Sequence, residues 1–319
     1  MGTDISPRTG TGGSGADGSA SSVDEENEGV GEQTSINDFA DDVEITERQG
    51  ETIDERRQRI EDVLDDNLDV VDSHQFGSHT RGTMVGPLDE NSDTDIMVVL
   101  DKGEHGEWMR DGKGARNCLQ AVKRALEKRY PNSEVSIDRN VVAVKFHDFT
   151  AEVAPAFRRG EGYVIPDTYS EGRSWVQTNP RRYKQQFEAV DKARDGRLQK
   201  VARVAKKFND NHGRPVSSYH MEVMAYQYVR SHPDKSASTE ELIEGFVEQL
   251  PQRISNGTRE PVYGQRVDEH MDTGERREAI ETARKAREHV RRANRLRRQG
   301  NIKAAEEAYG EAIGEDINQ

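Results

Sequence analysis

The stretch Gly77-Ser-His-Thr-Arg-Gly-Thr83, followed by Asp93-Thr-Asp95 at the mouth of the apolar run Ile96-Met-Val-Val-Leu100, decides how the rest of the chain is read. The apolar run has the length and β-branched content of a buried strand. Two aspartates two residues apart at its start would project from one face while Thr94 points away. A glycine lets a backbone turn come close to a ligand, and a serine hydroxyl adds a donor, so Gly77 and Ser78 suit the phosphate oxygens of an incoming nucleotide. Paired carboxylates on one face suit divalent cations, which in phosphoryl transfer lower the pKa of the attacking hydroxyl and neutralise the leaving group. In a chain with 60 acidic residues an Asp-x-Asp pair arises easily. Its placement between a Gly-Ser turn and an apolar strand is what gives it meaning.

Two-metal chemistry needs a third carboxylate on a neighbouring strand. Glu152 is the candidate, because it sits in Thr150-Ala-Glu-Val-Ala-Pro-Ala-Phe157, where apolar residues on both sides imply a strand and a charged side chain calls for a partner. Asp93, Asp95 and Glu152 are therefore the expected catalytic residues and ligands of two Mg²⁺ or Mn²⁺ ions. The surrounding text supports a sheet: Val70-Val71 to Phe76 and Val141–Val144 read as further strands. Cys118, Leu119, Val122, Leu126 and Tyr130 make a helical stripe ended by Pro131-Asn132. Before them, Ile36, Phe39, Val43 and Ile45, then Ile53, Ile60, Val63, Leu64 and Leu68, suit one or two amphipathic helices packed on the back of the sheet.

This order of elements predicts a small mixed unit rather than a doubly wound sheet. Beyond Pro180 the pattern is helical, with breaks expected at Gly213–Pro215, His232-Pro233, Pro251 and Gly257–Gly264. The fold class is thus α+β: a sheet domain over residues 34–170 and a helical, nucleotide-binding domain over 171–319, two lobes around a cleft. Residues 1–33 are Gly, Ser, Thr, Asp and Glu with almost no large apolar side chain, and are expected to be a disordered tail.

Composition narrows the function. A net charge of −14, spread along 319 residues, argues against general affinity for polyanions. The single cysteine, Cys118, excludes an intrachain disulfide. No apolar run approaches the roughly 20 residues of a membrane helix, and the N-terminus lacks a basic–apolar signal pattern, so a cytoplasmic protein with no membrane partner is expected. One helix, from about Gly274 to Gln299, is Arg-rich on the faces not taken by Ala279, Ile280, Ala283, Ala286, Val290, Ala293 and Leu296. Its basic face is either solvated or a contact for an activating ligand or a regulatory partner protein.

These residues resemble the polymerase-β-like nucleotidyltransferase superfamily, whose marks are a Gly-Ser turn, Asp-x-Asp and a third carboxylate. The fuller resemblance is to the CD-NTases, the relatives of cGAS that make oligonucleotide signals in anti-phage (CBASS) systems. Gly77-Ser-x-x-Arg-Gly-Thr83 looks like that family's opening motif, and Glu152-Val-Ala-Pro-Ala-Phe157 like its third-acid segment, where Asp is commoner. Trp175-Val-Gln-Thr-Asn-Pro180 looks like its turn into a long helix, and Arg203-Val-Ala-Lys-Lys-Phe-Asn209 resembles the helix whose lysine, here Lys206, reaches the triphosphate. Phe208 stands where Trp is frequent. Ser218-Tyr-His-Met-Glu222 resembles the helix start whose serine binds phosphate and whose tyrosine, here Tyr219, stacks on the base. Ala304–Gly314, with Tyr309, is similar to the family's terminal aromatic-and-glycine segment, with Tyr in place of Trp.

The residues themselves leave other roles open. Lys206 could be a solvated helix charge, Tyr219 a core aromatic, Ser218 a plain N-cap and Arg81 a brace for the turn. His79 is assigned none. The resemblance implies condensation of nucleoside triphosphates, ATP among them, into a small cyclic oligonucleotide that carries a signal to a downstream effector. Extension of an RNA or tRNA end, as in CCA-adding enzymes and poly(A) polymerases, and a catalytically silent nucleotide-binding scaffold are the alternatives. The abundance of Asp, Glu and Arg with few large apolar residues also resembles cytosolic proteins of salt-accumulating archaea. In molar salt the Debye length is about 3 Å, which screens the self-repulsion of an acidic surface.

Overall fold

The computed structural model describes residues 36–89, 92–168, 174–269 and 271–314. The tail expected over residues 1–33 lies outside them, as does the boundary expected between 170 and 171. The first elements are α1 (Ile36–Asp42), α2 (Glu47–Asn67), β1 (Val70–Phe76), the single helical turn α3 (Gly77–Thr80) and β2 (Asp93–Leu100). Next come α4 (Lys102–His105), a 3-10 turn (Gly106–Met109) and α5 (Gly114–Arg129). Strands β3 (Glu134–Asp138), β4 (Val141–Lys145), β5 (Thr150–Arg159), β6 (Gly162–Pro166) and β7 (Trp175–Thr178) follow. The remainder is helical: α6 (Pro180–Lys192), α7 (Arg197–Asn211), α8 (Ser218–Ser231), α9 (Thr239–Asn256), α10 (Thr273–Arg298) and α11 (Ile302–Ile313).

The sheet has the order β1-β2-β5-β4-β3, with β6 joined to β5 and β7 to β6. Only the β2–β5 pair among these is parallel. One face is packed by α2 and α5, whose Ile53, Ile60, Leu64, Leu119 and Val122 share a core with Ile96, Val98 and Val153. The alternate residues of the same strands, Met97 and Val99 of β2 and Ala156 of β5, form a separate small cluster with Tyr163 on the opposite face. Three strands go beyond the expectation. β3 and β6 are as short as β4 but lack its run of valines, and Trp175–Thr178, expected as a turn, pairs with β6 before the chain turns into α6. The entry to α6 follows ordinary capping: the Asn179 side chain accepts from Arg182 N–H, and Pro180 takes the first helical position.

α1 departs from its expected place behind the sheet. Phe39, Ala40 and Val43 join the core of the helical part, and Arg203 Nε donates to the Ala40 carbonyl at 2.8 Å. Pro251, expected to break a helix, lies inside α9. A proline in a helix interior forgoes a hydrogen bond and costs about 3 kcal/mol, but here Leu250, Pro251 and Ile254 are all buried, and that burial offsets the cost.

The Arg-rich helix is α10, and α11 follows it. Its basic face is paired in part. Arg276 meets Asp268, Arg291 meets Glu248, Arg292 meets Glu311 at 2.8 Å, and Arg297 meets Glu240 and Glu244, so acids of α9, α11 and the preceding loop take up much of its charge.

Candidate active site

Strand register assembles the acidic residues. β2 runs alongside β5 with Asp93 opposite Thr150 and Asp95 opposite Glu152, so the three expected carboxylates occupy neighbouring positions on one face. Adjacent strands lie about 4.8 Å apart, which sets the scale of that cluster. Thr94, between the aspartates, is buried on the other face, where its hydroxyl accepts from Gln75 Nε2 at 3.0 Å.

β1 pairs antiparallel with β2 and places Phe76 opposite Asp95, which delivers Gly77 directly beside that aspartate. Gly77 has φ +77°, and a Cβ there would lie 1.7 Å from Asp95 Oδ2. A left-handed backbone and the contact both demand glycine. The expected turn is realised as α3 followed by a loop that closes on itself, with Thr83 N–H donating to the Ser78 carbonyl at 3.0 Å. His79 points instead toward α2, its Nε2 3.5 Å from where a Cβ on Gly50 would stand.

A cavity of about 850 Å³ opens over the acidic face, and Gly77, Ser78, Asp93, Asp95, Glu152, Lys206, Ser218 and Tyr219 all line it. The structure thus brings together every site residue expected from the sequence, within the volume range of nucleotide-sized ligands. Tyr219 is 42% exposed, so it is not a core aromatic. It meets Tyr183 edge to face, at a ring separation of 5.9 Å. Ser218 is not the N-cap of α8; Ser217 is, accepting from His220 N–H at 3.2 Å. The Ser218 hydroxyl is therefore not used for capping. Lys206 is buried, not solvated, and its Nζ donates to the Thr83 carbonyl at 3.0 Å.

Some residues of the site were quoted in the motifs without a role. Glu222, on α8, is buried beside the cavity and forms an ion pair with Arg81, Nε to Oε1 2.8 Å, so Arg81 braces the turn while also lining the cavity. Asp210 and Arg214, joined at 2.7 Å, line the wall where α7 turns into α8. A buried acid four residues after Ser218 on an apolar helix was the available signal for Glu222.

The acids differ in electrostatic state. Burial first, then the facing Asp95 and Asp93, pushes the Glu152 carboxyl up to about 8. Asp95 is pushed up to about 6, again by burial first, against the pull of Arg81 and with the push of Asp93. Burial also raises Asp93, while Arg214 and Lys206 lower it. Asp138, at the end of β3, adds to the negative charge felt by both Asp93 and Glu152.

Glu222 behaves oppositely: burial alone would raise it, but Arg81, Lys206 and the bonds from Thr83 and Arg81 hold it below the usual range. An oxygen-only set of mutually repelling carboxylates fits hard divalent cations such as Mg²⁺ or Mn²⁺. Among the described residues no group of three acidic, histidine or cysteine side chains encloses an ion by itself.

Comparison with known proteins agrees with this geometry. Residues 32–191 match the Second Messenger Oligonucleotide or Dinucleotide Synthetase (SMODS) domain. The chain is 24% identical over 218 residues to a probable cyclic nucleotide synthase of Bacillus cereus (strain VD146), a match spanning 58% of this chain and 64% of that protein's length. Among solved structures, CdnC of Escherichia coli MS115-1 with ATP superposes with a TM-score of 0.69 at 17% identity, covering 89% of this chain and 98% of that one. The CD-NTase CdnG of Bradyrhizobium diazoefficiens, in complex with GTP, gives 0.59 at 14% identity over 87% and 97%. Vibrio cholerae DncV, a cyclic AMP-GMP synthase, gives 0.61 at 14% over 77% and 69%. The fold is the polymerase-β-like fold of these enzymes. The Gly-Ser loop and all three carboxylates fall within the matched domain, and the chain belongs to the Second Messenger Oligonucleotide or Dinucleotide Synthetase family, among the CD-NTases.

Proposed function

We propose that this protein joins nucleoside triphosphates, ATP among them, into a small cyclic oligonucleotide, releasing pyrophosphate at each bond formed. The observation that carries this reading is the register that sets Asp95 against Glu152 while Gly77 abuts the Asp95 carboxylate. Asp93 and Asp95 would hold two divalent ions, Mg²⁺ or Mn²⁺, and Glu152 only the one on the attacking side. Bound there, the ions would activate the attacking hydroxyl and neutralise the leaving pyrophosphate. The α3 turn presents backbone N–H groups and the Ser78 hydroxyl to the triphosphate. Ser218 and Lys206 approach from the helical wall, and Tyr219 offers its exposed ring to a base.

The division of labour around this cavity is a catalytic lobe over residues 34–170 and a nucleotide-binding lobe over 171–319, with α1 packed into the core of the second and β7 paired to the sheet of the first. The setting we propose is antiviral signalling in the cytoplasm, with the product diffusing to an effector and a regulatory protein or ligand controlling the enzyme. The ion pairs on α10 weigh against RNA-end extension, since they take up part of the one basic surface that the sequence offers to RNA. The acidic composition supports assay in molar salt.

The test is incubation with the four ribonucleoside triphosphates and Mg²⁺ or Mn²⁺ in high salt, read by pyrophosphate release and mass spectrometry of the product. A phosphatase-resistant oligonucleotide is expected, and the Asp93→Ala/Asp95→Ala variant should lose about 10³-fold or more of the pyrophosphate release. Label transferred to added tRNA, or turnover retained by that variant, would overturn the proposal.

A further inference from the structure

We infer that Glu222 is a positioning residue for the nucleotide loop, acting through a clamp by which the helical part of the molecule fixes Arg81-Gly82-Thr83. The clamp has two jaws. Three side chains on one face of α7, spaced four and then three residues apart, each hold one of three successive loop carbonyls. Gln199 Nε2 donates to the Arg81 carbonyl at 3.0 Å, Arg203 Nη1 to the Gly82 carbonyl at 2.9 Å and Lys206 Nζ to the Thr83 carbonyl at 3.0 Å.

The second jaw is Glu222 of α8. One of its oxygens receives Arg81 Nε at 2.8 Å and the other receives the Thr83 hydroxyl. The Arg81 guanidinium lies over the Tyr183 ring, 4.9 Å from its centre. Arg81 is 5% exposed, Thr83 fully buried and Glu222 1% exposed, so these bonds form away from water, where a half-made network is costly.

This arrangement changes what the loop depends on. Gly77 and Ser78 leave the sheet from β1, yet the return of the loop is held by side chains of α7 and α8 as well as by Thr83 N–H and Arg81 N–H, which both bond back to the Ser78 carbonyl. The donors that face a triphosphate are thereby tied to the same two helices that bring Lys206, Ser218 and Tyr219. Sheet-borne carboxylates and helix-borne donors are registered to one another through Glu222. A displacement of about 1 Å in such a constellation can cost 10²-fold in rate.

The inference rests on the proposed nucleotide chemistry, and its test separates the two. In Glu222→Gln the amide keeps the shape and loses the charge that Arg81 requires. Amide hydrogen exchange of residues 77–83 should then quicken about tenfold with exchange in α2 and β5 unchanged. The KM for nucleoside triphosphate should rise at least tenfold, while kcat falls less than threefold. Gln199→Ala, which removes one jaw contact at a half-buried position, should move both readouts in the same direction by about threefold, and it stands in if Glu222→Gln does not fold. Wild-type loop exchange in the folded variant would overturn the clamp. Faster loop exchange with unaltered KM would overturn the positioning role, and absence of turnover in the unsubstituted protein would instead overturn the proposed function, leaving the exchange result intact.

Discussion

Two sets of acids face the same cavity and are built in opposite ways. On the sheet, Asp93, Asp95 and Glu152 confront one another, and burial first, with repulsion from neighbouring acids added to it, holds all three above their usual pKa. On α8, Glu222 is more deeply buried, yet it is held below the usual range by Arg81, Lys206 and Thr83. The first set is frustrated as the chain alone builds it and would be relieved by the proposed cations; the second is satisfied from within. A fold tolerates the former where chemistry is done and requires the latter where geometry is kept.

The contrast predicts different consequences for removing each kind of acid. Glu222→Ala strands Arg81 as an uncompensated buried charge and should cost about 3–5 kcal/mol of stability, seen as a fall in Tm of roughly 10 °C. Substituting a sheet aspartate should leave Tm unchanged or raise it. Gly77→Ala tests how tightly loop and carboxylate are joined. The new methyl would overlap Asp95 Oδ2, and we expect kcat/KM to drop by about 10²-fold, with a stability loss of about 1–3 kcal/mol from the left-handed backbone.

Metal-free protein offers a subtler break. Glu152 is raised from 4.5 to about 8 in the folded state, so its contribution to stability is fully present below the unfolded value and is lost as pH rises through the folded one. Tm in chelator should therefore decline between about pH 5 and pH 9, and Asp95→Asn, which removes a repelling neighbour, should flatten the decline. The smallest effect belongs to the periphery: Arg292→Ala removes an exposed pair with Glu311 and should shift Tm by no more than about 2 °C, with turnover unchanged.

Much of this site was legible in the sequence because its chemistry is local. An Asp-x-Asp at a strand mouth, a Gly-Ser turn and a lone acid in an apolar run each announce themselves within a few residues, and the cavity gathers them as expected. Glu222 was hidden because its meaning lies in partners 139 and 141 residues away. For the same reason the residues alone left Lys206 open between a solvated charge and a triphosphate contact, since its carbonyl partner is distant. The strands that escaped notice were the short ones, β3, β6 and β7, whose identity comes from pairing rather than period. Likewise α1 carries an amphipathic pattern that fits either core, and only tertiary contact assigns it to the helical one.

The most direct test of the central claim is Glu152, the acid whose position opposite Asp95 would make the aspartate pair into the proposed two-ion site. Pyrophosphate release by Glu152→Gln should be measured across a Mn²⁺ titration, alongside the stabilisation that nucleotide plus Mn²⁺ confers on Tm. The account predicts turnover at least about 10²-fold below that of the unsubstituted protein at every Mn²⁺ concentration, with the nucleotide-dependent rise in Tm retained because Asp93 and Asp95 still hold the ion on the triphosphate. Turnover within threefold of the unsubstituted protein would contradict it.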